Sequence, residues 1–268
     1  MMVCAASGMM LALAGWNLES RWSGKHRSVS NSIYRIFDNC LPIAQWLLCP
    51  ACVLCMARGN DDGLCEGCRG SLPRMASAHC PVCAIPDPTG ETCGRCLSKP
   101  PHFDRVVAAF TYEFPATVLI QELKYRGNLA CARPLAAGLC DALDTEPYPD
   151  LIMPMPLGRN RLADRGFNQA MELARRLAAE FGVDVAADVC RRTRESTPQA
   201  ALPWKQRATN IRNAFLCDFD VEGKSVAVVD DVLTTGATLN ELALTLKRAG
   251  AREVIGWIAA RTPAPGET

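Results

Sequence analysis

Hydrophobic and polar positions divide this chain into two unlike parts, and the change falls near Pro100 and Pro101. Beyond that point short apolar runs alternate with segments of helical periodicity. Residues 104–113, 151–155, 225–229 and 253–259 read as strands. Residues 116–125 and 129–143 read as helices, and 168–181 sets Leu173, Ala174, Leu177, Ala178 and Phe181 along one greasy stripe. A last helix, from about 239 to 249, stops at Gly250. Alternation of this kind predicts an α/β fold, a parallel sheet flanked by helices on both faces. Val226, Ala227, Val228 and Val229 are apolar without a break, which suits a central strand buried on both sides.

The earlier part lacks that alternation and is punctuated by cysteine instead. Cys52-x2-Cys55 is followed, after nine residues, by Cys65-x2-Cys68; Cys80-x2-Cys83 is followed, again after nine, by Cys93-x2-Cys96. Each cysteine of the first set recurs 28 positions later. Zinc takes four thiolates at tetrahedral corners, and two CxxC knuckles on a short hairpin supply them locally. Two structural Zn(2+) sites, a small Cys4 double zinc ribbon, are therefore expected. Pairing Cys49 with Cys52 would leave Cys55 spare and break the 28-residue phase. Spacing does not decide whether the ligand sets are consecutive or cross-braced. A redox reading would expect one CxxC opening a helix, not four in tandem. His79 and His102 lie beside the knuckles, but four thiolates already complete each site.

Composition adds little for the chain as a whole. It has 268 residues, 49% hydrophobic and 21% charged, with a formal net charge of +1, so no global pull toward nucleic acid or membrane exists. The ribbon region, with five basic and five acidic residues between Cys49 and His102, is neutral, which favours a structural or protein-docking role over phosphate binding. Residues 1–48 read as an N-terminal extension, poorly ordered to about residue 32, with a short amphipathic segment at 33–48. Asn17, Glu19 and Arg21 cut its apolar start well short of the roughly 20 residues a membrane span needs, so no membrane span is expected. The remaining cysteines, including Cys131, Cys140, Cys190 and Cys217, show no common spacing and read as reduced thiols of a cytoplasmic protein. The expected division is 1–48, ribbon 49–101, larger domain 102–262 and tail 263–268.

The chemistry concentrates where the central strand ends. Asp230 and Asp231 follow the apolar run, and carboxylates at the carboxyl end of a parallel strand face the crevice where open α/β sheets bind ligands. Two ionised acids suit hydration and a pair of vicinal hydroxyls, as on a ribose. Thr234, Thr235, Gly236, Ala237 and Thr238 then lead into a helix, where backbone N–H groups and hydroxyls can surround a phosphate at the positive helix end. Thr238-x-x-Glu241 also matches a capping box. Neither GxGxxG nor GxxxxGK[ST] is present, which disfavours dinucleotide and Walker-type sites.

VVDDVLTTGAT resembles the phosphoribosyl pyrophosphate (PRPP) motif of type I phosphoribosyltransferases. PMPLGRNRLADRGFNQA at 154–170, TPQAALPWKQRATNIRNAF at 197–215 and the ribbons ahead of FDRVVAAFTYE resemble the ComF family, which joins a zinc ribbon to such a domain. The resemblance runs from about Cys49 to Arg261. It implies a type I phosphoribosyltransferase-like sheet in which Asp230 and Asp231 hold the ribose hydroxyls and Thr234 to Thr238 the 5′-phosphate. The loop with Pro156, Leu157 and Arg159 would meet pyrophosphate, and Mg(2+) would accompany PRPP. A mobile loop at 197–213 would carry Arg207 and Arg212 toward developing negative charge as the catalytic pair. From Pro156 to Arg212 the chain holds eleven basic and six acidic residues, a field that suits a pyrophosphate leaving group. Acceptor choice would fall to a variable hood, for which 116–143 with Lys124, Tyr125 and Arg126 is the candidate. Beside this enzyme reading stand two others: a competence or DNA-uptake accessory that handles single-stranded DNA, with competence-machinery proteins as partners, and a sensor that binds PRPP without turnover.

Overall fold

The computed structural model describes residues 51–193 and 213–263. The expected amphipathic segment at 33–48, most of the closing loop with Arg207 and Arg212, and the tail beyond Pro263 lie outside the described residues. In chain order the elements are α1 (Glu66–Gly70), α2 (Gly94–Ser98), β1 (Arg105–Thr111), α3 (Ala116–Arg126), α4 (Ala132–Leu143), β2 (Leu151–Pro154), α5 (Arg159–Arg165), α6 (Gln169–Phe181), β3 (Cys190–Arg192), β4 (Phe215–Cys217), β5 (Ser225–Leu233), α7 (Ala237–Arg248) and β6 (Glu253–Arg261).

Four strands form a parallel sheet in the order β1-β6-β5-β2, so the apolar β5 lies inside it as its sequence predicts. Side chains alternate across such a strand. Val226 and Val228 join one core cluster with Leu239, Leu242 and Leu246 of α7, and Ala227 and Val229 join another with α3, α4 and α6. Helices thus cover both faces, and both β5 and β6 run further than their apolar cores suggest. β5 continues through Asp230 and Asp231 to Leu233, because Asp230 still pairs with Ile258 and Val232 with Ala260. β6 ends at Arg261 rather than Ala259.

Two helical expectations are corrected. The stretch 129–143 is not one helix: a 3-10 turn at Leu129–Cys131 precedes α4, whose Gly138 lies against β1. A Cβ on Gly138 would stand 2.1 Å from Phe110 Cζ, so glycine is what lets helix and sheet approach. The capping box at Thr238 and Glu241 is not formed, because α7 starts two residues earlier than predicted. Its N-cap is Gly236, Thr235 Oγ1 accepts the N–H of Ala237 at 3.2 Å, and Glu241 accepts the N–H of Asn213 at 2.7 Å. Five elements were not foreseen: the short ribbon helices α1 and α2, the helix α5, and the antiparallel strands β3 and β4, which pair Cys190 with Cys217 and pack over the α7 side.

The two ribbons lie on opposite faces of the sheet. Cys52, Leu64 and Leu72 pack with Ala109 and Phe110 in the α3, α4 and α6 cluster. Cys80, Cys83, Ala84 and Cys96 pack with Phe103, Val106, Ala108 and Ile258 in the α7 cluster. A parallel sheet must be covered on both sides. The second ribbon covers sheet beside α7, which supplies Leu239, Leu242, Ala243 and Leu246 to that cluster.

Candidate functional site

Each set of four cysteines is consecutive. Cys52, Cys55, Cys65 and Cys68 have their sulfurs within 4.8 Å of one another, as do Cys80, Cys83, Cys93 and Cys96. Cys55 Sγ lies 3.6 Å from Cys65 Sγ, and Cys83 Sγ 3.7 Å from Cys93 Sγ. Tetrahedral zinc at a Zn–S distance of about 2.3 Å needs sulfurs about 3.8 Å apart, so both sets fit the metal. The backbone prepares the sulfurs too, with Cys68 N–H donating to Cys65 Sγ and Cys93 N–H to Cys80 Sγ, each at 3.4 Å. Burial works against a thiolate at Cys52, but the N–H groups of Cys65, Cys55 and Leu54 outweigh it and bring the thiol down to about 6. Cys80, at the equivalent position, is brought down to about 7 in the same way by Cys93, Cys83 and Val82.

At the carboxyl end of the sheet a cleft of about 350 Å³ opens beside β5. It is lined by Asp230 and Asp231, by Thr234, Thr235, Gly236, Ala237 and Thr238, and by Pro156 and Leu157. Among the described residues, the structure therefore brings together almost all those that the strand end and the family resemblance singled out. Arg159 is the exception. It begins α5 and is exposed, while Arg161 and Arg165 of the same helix line the cleft, as does Arg192. Arg165 donates to Gln169 at 3.0 Å and sits 5.6 Å from the Tyr125 ring centroid.

The two aspartates are not equivalent. Asp231, 3% exposed, points to the α3 side, where Lys124 Nζ meets its Oδ2 at 2.9 Å. Burial alone would pull the Lys124 ammonium down, but the charge of Asp231 overrides it and the net direction is up. Asp230 is partly exposed in the cleft and its Oδ1 accepts the N–H of Asp231 at 2.9 Å. Burial, then the neighbouring charge of Asp231, pushes the Asp230 carboxyl up to about 8, with Lys124 opposing. Read from sequence, Lys124 belongs only to a variable hood. Its place beside Asp231 depends on a distant helix folding back over the strand end, which local pattern does not reveal.

The loop between β5 and α7 has the form an anion site requires. Gly236 has φ +76, a left-handed conformation that glycine adopts without steric cost, and it sets the first turn of a twelve-residue helix facing the cleft. Basic side chains from three elements, Lys124, Arg161 with Arg165, and Arg192, surround two acids, so the cleft can take a ligand that is both polyhydroxylated and polyanionic.

Fold and cysteine geometry together define the class: a double zinc ribbon joined to a phosphoribosyltransferase-type α/β domain. The Double zinc ribbon domain family matches residues 43–97, and the Phosphoribosyl transferase domain family matches residues 162–266. DNA utilization protein YhgH of Escherichia coli (strain K12) is 36% identical over 222 residues, covering 80% of this chain and 97% of that protein. Competence protein F of Haemophilus influenzae is 32% identical over 224 residues, 78% of this chain and 96% of that one. The chain belongs to the ComF family. Among solved structures, the purine phosphoribosyltransferase from Pyrococcus horikoshii Ot3 is similar with a TM-score of 0.29 and 21% identity, covering 50% of this chain and 87% of that chain.

Proposed function

We propose that this protein binds PRPP with Mg(2+) in the cleft at the end of β5 and transfers its ribose 5-phosphate to an acceptor, releasing pyrophosphate. The observation that carries this reading is the juxtaposition of Asp230 with the Thr234 to Thr238 turn, one suited to vicinal hydroxyls and the other to a phosphate. The 5′-phosphate lies at the amino end of α7, among the N–H groups and hydroxyls of the loop. Asp230 accepts the ribose hydroxyls, and Asp231, fixed by Lys124, supports it. Pro156 and Leu157, with Arg161, Arg165 and Arg192 around them, face the pyrophosphate. Arg159, Arg207 and Arg212 would add positive charge at the moment the leaving group departs. Magnesium bound with PRPP would supply neutralising charge to the diphosphate, held more by ligand oxygens and water than by protein. A cytoplasmic location is part of this reading, supported by the four free cysteines of the larger domain; among the described residues no helix is long and apolar enough to cross a membrane. Isothermal titration of PRPP with magnesium tests the reading: one saturable site is expected, lost in the Asp230→Asn, Asp231→Asn double variant, and absence of heat in the unaltered protein would refute it.

A second reading rests on the relatives named for DNA utilization and competence. The arginines of α5 beside the exposed Tyr125 ring form a rim that suits the backbone and stacked bases of single-stranded DNA. Binding would weaken steeply with salt, since each released counterion contributes to the slope. Undetectable binding of single-stranded DNA at low salt removes this reading and leaves the first intact.

A further inference from the structure

The loop that faces the cleft is held from behind by the second ribbon. Arg261, the last residue of β6, is 1% exposed and reaches both sides at once. Its Nε donates to the carbonyl of Cys83 at 3.0 Å, and its Nη1 to the carbonyls of Leu233 at 2.9 Å and Thr234 at 2.7 Å. Arg95 lies within the second knuckle between Cys93 and Cys96, and its Nη1 donates to the carbonyl of Thr235 at 3.0 Å. Two guanidinium groups thus hold three successive carbonyls, those of residues 233, 234 and 235.

A trans peptide points its C=O and its N–H in opposite directions. Drawing the carbonyls of Leu233, Thr234 and Thr235 backward therefore turns the N–H groups of Thr234, Thr235 and Gly236 away from the ribbon, toward the cleft that these residues line. Phe103, in the linker after the ribbon, backs the same turn: a Cβ on Gly236 would stand 3.7 Å from its ring. The adjoining linker is also tied to α7, where Asn240 accepts the N–H of His102 at 2.7 Å.

We propose that the second zinc ribbon is the positioning element of this loop, so that loading of the Cys80, Cys83, Cys93 and Cys96 site sets the loop's affinity for a phosphate, through Arg261 and Arg95. The first ribbon, packed on the other face against Phe110, has a stabilising role only. This inference rests on the sugar-phosphate reading of the cleft. It goes beyond that reading by making one of two look-alike metal sites part of the ligand site.

Four proteins test it: the unaltered chain, Arg95→Gln, Cys96→Ser and Cys55→Ser, each measured for zinc content, hydrogen exchange at residues 234–236 and affinity for PRPP with magnesium. Arg95→Gln is expected to keep two zinc ions, exchange faster in the loop and bind about tenfold more weakly, the scale of one hydrogen bond to a charged group. Cys96→Ser is expected to lose one zinc and show the same two changes or larger ones. Cys55→Ser is expected to lose one zinc while loop exchange and affinity stay within about twofold of the unaltered chain, below the effect of one such bond. Should Arg95→Gln exchange and bind like the unaltered chain, or Cys55→Ser and Cys96→Ser disturb the loop equally, the positioning role is overturned. Where the unaltered chain binds no PRPP, the functional reading fails, and the exchange pattern across the four proteins still decides the positioning role.

Discussion

The two ribbons share every cysteine spacing yet differ in what their surroundings ask of them. The first meets the sheet through Leu64, Leu72 and the Phe110 ring, an apolar contact reinforced by Arg74, which reaches Asp141 of α4 at 2.8 Å and lies over Phe110. The second meets it through a polar seam as well, in which the carbonyl of Cys83 and the side chain of Arg95 are tied to the strand-end loop. A guanidinium fixes orientation on both sides, but the bonds of Arg74 end on α4, whereas those of Arg95 and Arg261 end on the strand-end loop. A duplicated metal module can thus diverge in role while its ligand pattern stays the same.

Removing both metals has the largest expected effect. Structural zinc contributes folding free energy of order 10 kcal/mol, so strong chelation should abolish the cooperative thermal transition, and mass spectrometry should find two zinc ions per untreated chain. Next in size is Lys124→Met, which leaves Asp231 buried without its cation. Breaking such a pair costs about 3 kcal/mol, and adding Asp231→Asn should restore much of it, a non-additivity measurable by denaturant unfolding.

A smaller effect, with a defined sign, follows from Asp230. Its carboxyl stands well above the ordinary carboxylate range, at about 8, because of burial and Asp231. It is faced by Asp231, Lys124 and Tyr112, and by Arg161, Arg165 and Arg192 across the cleft. Below that pH Asp230 is neutral and a poor acceptor, so PRPP affinity should rise between pH 7 and 9. A carboxyl raised on folding binds a proton more tightly folded than unfolded, so without ligand this group lowers stability progressively as pH rises from about 4 to 8. Calorimetry between pH 7 and 8, where the two ranges overlap, should show stability and affinity moving in opposite directions. The smallest expected change is Gly236→Ala. The added methyl meets Phe103 at ordinary contact distance, so only the left-handed backbone is strained, at about 1 kcal/mol.

What could be read from the sequence follows the distance over which each feature is made. The ribbons are local hairpins, and spacing marks their eight cysteines; which four gather together is decided only in the folded chain. The four parallel strands and most helices followed from periodicity, and the Asp230 to Thr238 stretch is contiguous, so its residues line one cleft as expected. The helix start was misplaced because a threonine three residues before a glutamate imitates a cap, while the left-handed Gly236 takes that position. Lys124 and Arg261 carry no local signal. One sits in the last turn of α3 and the other ends an apolar strand, and each gains its role only when elements far apart in sequence meet. The face each ribbon covers is likewise a property of the assembled sheet.

Phosphorus-31 magnetic resonance of PRPP titrated with the zinc-loaded protein is the most direct test, because it observes the 5′-phosphate apart from the diphosphate. The 5′-phosphate signal should shift or broaden with the unaltered chain, and markedly less with the Asp230→Asn, Asp231→Asn double variant. A 5′-phosphate signal unmoved at saturating protein would contradict a phosphate seat between β5 and α7.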